Sequence, residues 1–593
     1  MKFPYGISDF YDIITQGYYY VDRTDRIPMI EETGRYLLFL RPRRFGKSLL
    51  LSMLKNYYDI ARAEEFDKMF GNLAIGREPT SGRNQYFVLK WDFSAVSPAG
   101  GPEPIQQNLY DYINGRIRAF AIYYRDYLSY EITVNAGNAQ DSFQSMLTAV
   151  QQTDHKLYLL IDEYDNFANE VMMGREIGED RYKALVHGEG CLKALFKAVK
   201  SATEGEGLDR TFITGVSPVV MSDITSGHNI AKNVYLLPQF HDLCGFSESE
   251  IKHTLTGIVS ECDFPAAKTD EALMMMRSFY DGYSFVNTGD SRIYNPTLAL
   301  YFMEHFQDYC EYPEEMLDEN LAADRGKIAY ISRLPEGEQV IQDALNDRLI
   351  VQRLARRFGV DDMLYAVKDR SFMASLLWYL GVLTFGGRAQ KGKHILHVPN
   401  LVIRSLYIER LQDMLLPAGS RNDAFQTADT FYSNGNMDPV CDFIEQNYFR
   451  ALDNRDYRWA NELTVKTAFL TMLFNDTYYI TDSETALGRE YADLTMIVRP
   501  DMRQYQLLDI LIEFKYVSLK KSGLKGAEIR ALSRDELKAH GAVKEKLAES
   551  KTGLESYCRS LRKKYGKAMH LKVFSVVSVG FDRLVWNEEK LDV

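Results

Sequence analysis

Apolar runs alternate with helical patterns along the first 240 residues. Stretches such as SLLLSMLKNYYDIA (48–61) and GCLKALFKAVKSA (190–202) repeat apolar residues at the spacing of one helix face. Strands that alternate with helices predict a parallel sheet whose two faces are covered. Four shorter apolar runs have the composition of the buried strands in such a sheet: YLLFL (36–40), YFVLKWDFS (86–94), LYLLIDEYD (157–165) and RTFITGVS (210–217).

The pattern changes after residue 240. Segments 247–259 and 271–283 have helical periodicity, and the first opens on a serine cap with acidic residues in its first turn. Further on, the apolar stretch 371–385 predicts a helix, the glycine-rich stretch 386–400 predicts a hairpin, and the following residues predict a second helix. This order indicates a helical lid followed by a winged-helix-like region.

A third part of the chain follows a short polar break. Residues 415–426 combine Pro, Gly, Ser and Asn, which is typical of a linker. Beyond it the pattern predicts a helix around 458–475, two strands between 491 and 517, a charged helical stretch and a last strand. We therefore predict three domains, at 1–240, 241–414 and 430–593, of which the first and the third are of α/β type.

Composition narrows the class of protein. The chain has 593 residues, 46% hydrophobic and 26% charged, the profile of a globular protein too long for one core. Its six cysteines contain no C-x-x-C pair, so we expect reduced, buried thiols and no structural zinc site. The first residues lack a signal-peptide pattern and no apolar run approaches the length of a membrane span. These features predict a cytoplasmic protein with no membrane partner.

RPRRFGKSLL (41–50) contains the second half of a phosphate-binding loop. Its GKS fits the end of G-x-x-x-x-G-K-[ST], but Arg41 stands where the first glycine belongs. In this interpretation N–H groups at the helix start bind phosphate, Lys47 reaches the β- and γ-phosphates of ATP, and Ser48 binds Mg²⁺. The alternative is a surface turn with a basic patch. The predicted phosphate-binding residues are Arg44, Phe45, Gly46, Lys47 and Ser48.

The apolar run LYLLI ends in two carboxylates, Asp162 and Glu163. Such residues emerge at the carboxyl edge of a parallel sheet, where Asp162 can hold Mg²⁺ and Glu163 can polarise the attacking water. Thr214 ends another predicted strand and is a candidate sensor of the γ-phosphate, with a capping role as the alternative. Asp92 is a weaker candidate for the Mg²⁺ shell. Together with the GKS turn, the acidic pair predicts a nucleotide site.

A second cluster of chemistry lies near the C-terminus. In LLDILIEFKYVSL (507–519), Glu513 and Lys515 share one face of a predicted strand, and a hairpin can bring Asp493 beside them. Asp493 and Glu513 can bind a hard divalent cation, Mg²⁺ or alternatively Mn²⁺, while Lys515 orients a water. Glu462 begins a predicted helix and is a fourth candidate. The alternative is an ordinary Glu–Lys pair on a solvated strand face.

Charge around this cluster favours a nucleic-acid partner. The protein as a whole carries a formal net charge of −12, yet residues 515–572 contain 16 Lys and Arg against 6 Asp and Glu. A basic segment beside carboxylates suits a phosphodiester backbone. The alternative interpretation of the segment is a solvated helix face.

With these residues in view, the chain resembles the AAA-ATPase-like proteins of bacteria that carry a C-terminal PD-(D/E)XK nuclease-superfamily domain. The RPRRFGKS and YVDRTD segments are specific to that family rather than generic, and the Arg-Pro-Arg-Arg-Phe form of the loop is its usual form. The resemblance runs from residue 3 to about 515. It is carried by FPYGISDF, YYYVDRTD, RPRRFGKSLLLSML, LLIDEYDN, TGVSPV, FYDGYSF with YNP, and the terminal ADL and IEFK pair.

The resemblance implies a fold class: an α/β multidomain protein with a P-loop parallel-sheet ATPase domain, a helical and winged-helix-like middle region and a C-terminal restriction-endonuclease-like domain. The ATPase is implied to be of the additional-strand type, with the glutamate strand between the P-loop strand and the outer strands. The residues that match its catalytic motifs are Lys47, Ser48, Asp162 and Glu163 in the ATPase, and Glu462, Asp493, Glu513 and Lys515 in the nuclease.

Three positions depart from the family pattern. Arg23 stands where lysine is usual, Ala492 replaces a proline before the aspartate, and a helical glutamine is not evident in 547–558. The last departure concerns the rate or the metal geometry of the nuclease. No arginine finger can be assigned, although Arg210 is the nearest candidate.

The sequence therefore favours an ATP-hydrolysing protein that controls a Mg²⁺-dependent nuclease, acting on DNA rather than RNA. A homo-oligomer is compatible with this interpretation. The alternative is a nucleotide-switched module that binds nucleic acid or protein through a C-terminal domain that does not cut. A third hypothesis is a signalling ATPase whose C-terminal domain is a scaffold.

Overall fold

The chain divides into two compact units. One comprises Met1–Thr269, Asp281–Glu311 and Ile350–Leu396, and the other comprises Asp270–Tyr280, Tyr312–Leu349 and His397–Val593. This division does not test the three predicted domains, 1–240, 241–414 and 430–593, which remain predictions. The computed structural model describes residues 1–97, 99–166, 190–218, 231–287, 291–317, 325–347, 349–355, 358, 368–417, 419–450, 461–482, 485–487, 490–565 and 569–590.

A five-stranded sheet of order β2-β3-β4-β1-β5 forms the centre of the first unit, and its neighbouring strands all run parallel. The predicted parallel sheet is thereby confirmed. β4 separates β1, which leads into the GKS turn, from β3, which ends at Asp162, and β3 lies next to the outer strand β2. The strands are β1 (Tyr36–Leu40), β2 (Tyr86–Asp92), β3 (Lys156–Asp162), β4 (Leu208–Gly215) and β5 (Lys232–Asn233).

Helices pack against this sheet through apolar faces, as the periodicity predicted. α3 contacts β2, β3 and β4, while α6 and α7 contact β2 and β3 respectively. The described helices of the unit up to residue 202 are α1 (Phe10–Thr15), α2 (Ile27–Thr33), α3 (Lys47–Tyr58), α4 (Phe66–Phe70), α5 (Ala74–Arg77), α6 (Pro102–Tyr123), α7 (Ala139–Gln151) and α8 (Cys191–Ala202).

The next part of the chain is largely helical, again as predicted. Ser247 caps the first of these helices by accepting a hydrogen bond from the Glu250 N–H, and the Glu250 carboxylate accepts one from the Ser247 N–H. The helices are α9 (Glu248–Glu261), α10 (Ala267–Tyr280), α11 (Pro296–Tyr309), α12 (Arg325–Ser332), α13 (Gly337–Leu345) and α14 (Arg370–Tyr379).

A three-stranded sheet of order β6-β8-β7 contains the predicted hairpin. The helix predicted over 371–385 is too long, since α14 ends at Tyr379 and residues from Thr384 form a strand. Gly381, with φ +79°, explains the early end because a left-handed residue terminates a helix at little cost. The strands are β6 (Leu349–Val351), β7 (Thr384–Arg388) and β8 (His394–His397).

The second unit contains a mixed sheet of order β15-β14-β13-β12-β9. β12 and β13 are antiparallel, whereas β13 and β14 are parallel and are joined through helices, of which the longest, Gly541–Tyr565, packs on both strands. The strands are β9 (Tyr479–Asp482), β10 (Thr485–Leu487), β11 (Glu490–Ala492), β12 (Leu494–Val498), β13 (Asp509–Val517), β14 (Leu571–Val579) and β15 (Arg583–Glu588).

The helices of the second unit follow the predicted order. The second half of the predicted linker 415–426 is helical because α16 begins at Arg421, and the start of the helix predicted over 458–475 lies outside the described residues. The helices are α15 (Leu401–Leu415), α16 (Arg421–Asn434), α17 (Met437–Phe443), α18 (Glu462–Leu473), α19 (Leu519–Ser522), α20 (Gly526–Ala531), α21 (Arg534–Ala539) and α22 (Gly541–Tyr565).

The cysteine prediction is wrong at one pair. Cys262 and Cys310 form a disulfide, while the other four cysteines are free and buried as expected. Cys262 caps the C-terminus of α9 and Cys310 caps that of α11, and these two helices pack together, which brings the thiols into contact. The two cysteines are 48 positions apart in the sequence, and no local pattern links them, so the sequence did not predict the pair.

Within the described ranges, no helix combines the length and the apolar composition needed to span a bilayer.

Candidate functional site

Arg41 explains the missing first glycine of the phosphate loop. Its side chain is 1% exposed, and its guanidinium donates to the carbonyl oxygens of Leu40 at 2.8 Å, Tyr235 at 3.0 Å and Phe240 at 2.7 Å. It also lies over the ring of Phe285, 4.0 Å from the centroid. Burial lowers the pKa of Arg41 to about 9. Arg41 therefore anchors the start of the loop to the unit's interior.

The turn that follows has the geometry of an anion site. Arg44 and Gly46 have left-handed φ values of 65° and 83°, and α3 begins at Lys47 directly after them, so a tight loop leads into a helix N-terminus, which favours anions. The Lys47 ammonium donates to the carbonyl oxygens of Arg41 at 3.1 Å and Pro42 at 2.9 Å. Burial lowers the pKa of Lys47, although Glu163 and Asp162 oppose that shift.

The donors of this loop fit a triphosphate. Lys47 contacts only neutral carbonyls through its hydrogen bonds, and within the described part of the chain Arg44 Nη1 is buried with no hydrogen-bond partner. Arg44 and Lys47 line the same cavity, together with Gly46 and Ser48. An anion with several oxygens would satisfy these donors better than the loop itself does.

The two acids of β3 differ in their surroundings. Asp162 is fully buried, accepts a hydrogen bond from Thr214 Oγ1 at 2.7 Å and lies 3.2 Å from Lys90 Nζ. Burial acts to raise the pKa of Asp162, but Lys90, Thr214 and Ser48 outweigh it and lower the pKa. Glu163 has a left-handed φ of 45°, and burial raises its pKa despite the proximity of Lys47. The surroundings therefore stabilise the charged form of Asp162, whereas they make Glu163 a weaker acid than usual.

The two residues after the acidic pair form hydrogen bonds with the end of β4 and the residues that follow it. The Asp165 carboxylate accepts hydrogen bonds from the N–H groups of Val216 at 3.1 Å and Ser217 at 2.8 Å, and the Tyr164 hydroxyl donates to the Ser217 carbonyl. A Cβ at Gly215 would lie only 2.6 Å from Asp165 Oδ1, so the glycine permits this approach. Asp165 therefore holds the ends of β3 and β4 together beside the catalytic candidates.

A cavity of about 360 Å³ adjoins the phosphate loop within the first unit. Its walls come from segments that sequence reasoning did not assign to a site: residues 4–8, 19–23, 243–246 and the start of α11. Its lining combines the apolar or aromatic side chains of Tyr5, Tyr19, Phe246 and Leu300 with the charged side chains of Lys47 and Glu163. A lining of both kinds fits a nucleoside attached to phosphates.

The other nucleotide-site candidates have structural partners. Asp92 accepts hydrogen bonds from the N–H of Ser94 at 3.0 Å and its hydroxyl at 2.6 Å, which makes it the cap of a turn. Arg210 donates to the carbonyls of Glu31 and Gly34 near the start of β4. These contacts give Asp92 and Arg210 structural roles outside the cavity.

The C-terminal candidates come together on the mixed sheet. β12 pairs with β13 so that Leu494 faces Ile512, which places Asp493 one step further on, opposite Glu513. The Asp493 carboxylate accepts a hydrogen bond from the Phe514 N–H at 2.8 Å. Lys515 Nζ lies 2.8 Å from Glu513 Oε1 and 4.0 Å from Glu462 Oε1 at the start of α18.

The electrostatics of this cluster favour cation binding. Burial, reinforced by Asp493, raises the pKa of Glu513 to about 7. Burial acts to lower the pKa of Lys515, but Glu513, Glu462 and Asp493 outweigh it and raise the pKa. The Glu513 and Lys515 side chains are only 12% and 13% exposed. A second positive charge would relieve the repulsion between the buried carboxylates.

The residues present fit a small divalent ion. Glu513 Oε2 is buried with no hydrogen-bond partner among the described residues, and such an orphaned oxygen is an available ligand. In the described ranges no group of three or more His, Cys, Asp and Glu is placed to hold a metal. Mg²⁺ commonly binds through one or two carboxylates and retains waters, so Asp493 and Glu513 suffice.

The first part of the chain has recognisable relatives. Residues 4–225 match the model of a family described as predicted AAA-ATPases. The N-terminal region is AAA-ATPase-like. An uncharacterised protein encoded in the vnfD 5′ region of Azotobacter chroococcum mcd 1 is 24% identical over 429 residues, which cover 70% of this chain and 71% of that protein.

One solved structure is also similar in part. The Aeropyrum pernix ORC1 protein, solved in complex with DNA, shares 10% identity, with 67% of this chain and 89% of that chain covered. The TM-score is 0.22, which is too low to establish a shared fold.

Arg23, the departure from the family's lysine, has a defined role in the AAA-ATPase-like region. Its guanidinium binds both carboxylate oxygens of Glu250, at 2.6 and 2.9 Å, and the carbonyls of Asp242 and Gly245. It thus joins the 19–23 wall of the cavity to the 243–246 wall. A bidentate contact of this kind requires arginine rather than lysine.

We predict that Arg41→Gly destabilises the AAA-ATPase-like region although it restores the glycine of the general motif. The substitution leaves buried carbonyls without a charged donor, at a cost of about 2–4 kcal/mol. Chemical denaturation measures the free energy of unfolding. Arg43→Ala is the matched control because Arg43 is exposed in the same loop. Equal stability of Arg41→Gly and the wild type would show that Arg41 is not the anchor.

Proposed function

We propose that the protein binds and hydrolyses ATP and thereby controls a Mg²⁺-dependent phosphodiesterase that acts on nucleic acid, DNA rather than RNA. The nuclease is proposed for the restriction-endonuclease-like, PD-(D/E)XK-type domain that residues 430–593 are taken to form. The observation that carries this part is the pairing of Glu513 and Lys515 in the interior of β13, directly opposite Asp493.

Each nucleotide-site residue has a proposed role. Lys47 and the loop from Arg44 to Gly46 bind the β- and γ-phosphates, and the apolar side chains of the cavity lining receive the base. Ser48 and Asp162 hold Mg²⁺, which neutralises charge on the phosphates when bound. Thr214 orients Asp162 through its hydrogen bond, and Glu163 accepts the proton of the attacking water.

The C-terminal residues divide a hydrolytic reaction among them. Asp493 and Glu513 hold the metal ion, Mg²⁺ or Mn²⁺, which supplies Lewis acidity and an activated water when bound. Lys515 would orient the water and favour its deprotonated form, while Glu462, with an oxygen 4.0 Å from the ammonium, helps to hold the lysine in place. Phe514 fixes Asp493 through its backbone N–H.

Incubation with nucleic acids tests the proposal. Linear DNA, circular DNA and RNA are each incubated with Mg²⁺ or Mn²⁺, with and without ATP, and products are separated by size. We expect metal-dependent cleavage of DNA whose rate changes with ATP. Binding without cleavage under both metals and both ATP conditions would contradict the nuclease.

One observation favours a second candidate, a nucleotide-switched module that binds nucleic acid or protein without cutting it. The β7–β8 hairpin carries Arg388, Lys391 and Lys393, which are all exposed, and no acidic residue lies between Thr384 and His397. In a protein of net charge −12, such a tip is a local attraction for phosphates. The hairpin is then a nucleic-acid contact whether or not the C-terminal domain cleaves.

Removing these charges separates the two roles. We predict that the triple change Arg388→Ala, Lys391→Ala and Lys393→Ala weakens DNA binding equally across sequences and lowers the salt slope by about 2–3. Fluorescence anisotropy at several salt concentrations measures both effects. The control replaces three exposed arginines elsewhere, Arg77, Arg118 and Arg125, by alanine. An equal loss in both triple variants would indicate general charge rather than a hairpin contact.

A further inference from the structure

Lys90 is an unassigned cation at the edge of the nucleotide site. It lies on β2, where it pairs in register with Leu160, two residues before Asp162 on β3. Its side chain extends toward the end of the sheet and places Nζ 3.2 Å from Asp162 Oδ2. The lysine is 22% exposed, whereas its partner is completely buried. The ammonium therefore covers the solvent side of a buried carboxylate.

Oδ2 of Asp162 is buried and has no hydrogen-bond partner among the described residues, which leaves this oxygen available to a cation. Thr214 donates to Oδ1 at 2.7 Å, and a hydrogen bond from Ser48 also stabilises the charged carboxylate. Two positive charges close to one carboxylate oxygen repel each other strongly in a buried site. The Lys90 ammonium and a divalent ion thus compete for the same charge.

We propose that Lys90 is a resident substitute for the metal: it neutralises Asp162 while no divalent ion is bound and lowers the affinity of the site for that ion. This inference rests on the proposed ATP site. Lys90 is a positioning residue, since it acts on Asp162 and is not among the described residues that line the cavity beside the phosphate loop.

Opposite consequences follow for metal-free and metal-loaded binding. Without Lys90, the bare charge of Asp162 repels a triphosphate, so nucleotide binding in the absence of metal weakens. With a divalent ion present, the loss of the competing ammonium strengthens metal binding. A lysine that only supports the fold would change both affinities in the same direction.

Two binding measurements test Lys90. A fluorescent ATP analogue is titrated in EDTA, and Mn²⁺ binding to the nucleotide complex is followed by electron paramagnetic resonance of the free ion. In Lys90→Met we expect about tenfold weaker metal-free nucleotide binding and about tenfold tighter Mn²⁺ binding. Lys90→Gln should repeat both shifts, while Lys90→Arg should keep both affinities near those of the wild type.

The control and the outcomes are distinct. Lys156→Met removes an exposed lysine that pairs with Asp209 at the opposite end of β3 from Asp162. This substitution should change neither affinity. Circular dichroism establishes that each variant is folded. Unchanged or weaker Mn²⁺ binding in both Lys90→Met and Lys90→Gln would overturn the inference while nucleotide binding, and the proposed function, stand. Failure of the wild type to bind nucleotide with or without metal would instead overturn the proposed function.

Discussion

Glu163→Gln is expected to lower ATP turnover by about 10²- to 10⁴-fold while nucleotide binding persists. Glu163 lines the cavity one residue after Asp162, and burial raises the pKa of its carboxyl. In its proposed role the Glu163 carboxylate accepts a proton from the attacking water, which an amide of the same shape cannot do. Phosphate release at saturating ATP measures turnover, and binding of a fluorescent ATP analogue measures the integrity of the site.

Asp92→Asn is the matched control for that experiment. Asp92 also ends a strand of the parallel sheet, and its register places it directly beside Asp162. Its carboxylate, however, accepts hydrogen bonds from the N–H and the hydroxyl of Ser94. We therefore expect turnover close to that of the wild type. Unchanged turnover in Glu163→Gln, or an equal loss in both variants, would remove Glu163 from its proposed role.

The candidate residues of the proposed nucleotide site could be selected from the sequence because each lies at the end of a local pattern. A short apolar run followed by GKS, and another followed by Asp162 and Glu163, identify strand ends without any knowledge of tertiary contacts. In a parallel sheet these ends meet at one edge. The order of the strands then decides which ends are adjacent, and the placement of β4 between β1 and β3 brings Thr214 to Asp162.

Long-range partners account for what the sequence did not reveal. Two of the carbonyls that bind Arg41 are 194 and 199 residues away, at Tyr235 and Phe240. The local motif therefore shows only that a glycine is missing and gives no sign of what Arg41 binds. The cavity walls likewise come from distant segments without a shared pattern. Lys90 precedes the strand end by two residues and carries no signal until the register of β2 and β3 is known.

The C-terminal cluster was predictable in its members but not in its electrostatics. Alternation within β13 places Glu513 and Lys515 on one face, and a hairpin brings Asp493 near them. The register and the burial decide the rest. They place the Asp493 carboxylate on the Phe514 N–H and raise the pKa of Glu513, two features that a solvated ion pair would lack and that the proposed cation site requires.

Lys515→Met is expected to lower DNA cleavage by at least about 10²-fold without changing ATP turnover. The methionine keeps the length of the side chain but removes the ammonium that lies 2.8 Å from Glu513 Oε1. Water then loses its orienting donor, and two carboxylates face each other across the hairpin without a compensating charge. Release of a labelled oligonucleotide measures cleavage, and phosphate release from ATP measures the other site in the same preparation.

Lys521→Met distinguishes this loss from a general loss of positive charge. Lys521 lies six residues further on and is 46% exposed, so it offers a phosphate contact but no contact with the carboxylates. We expect it to weaken DNA binding slightly and to leave the rate of cleavage at saturating DNA unchanged. If Lys515→Met cleaves as the wild type does, the β13 pair is a structural ion pair and the protein binds nucleic acid without cutting it. If both lysine variants lose cleavage in proportion to lost binding, Lys515 contributes charge to the surface rather than chemistry to the site.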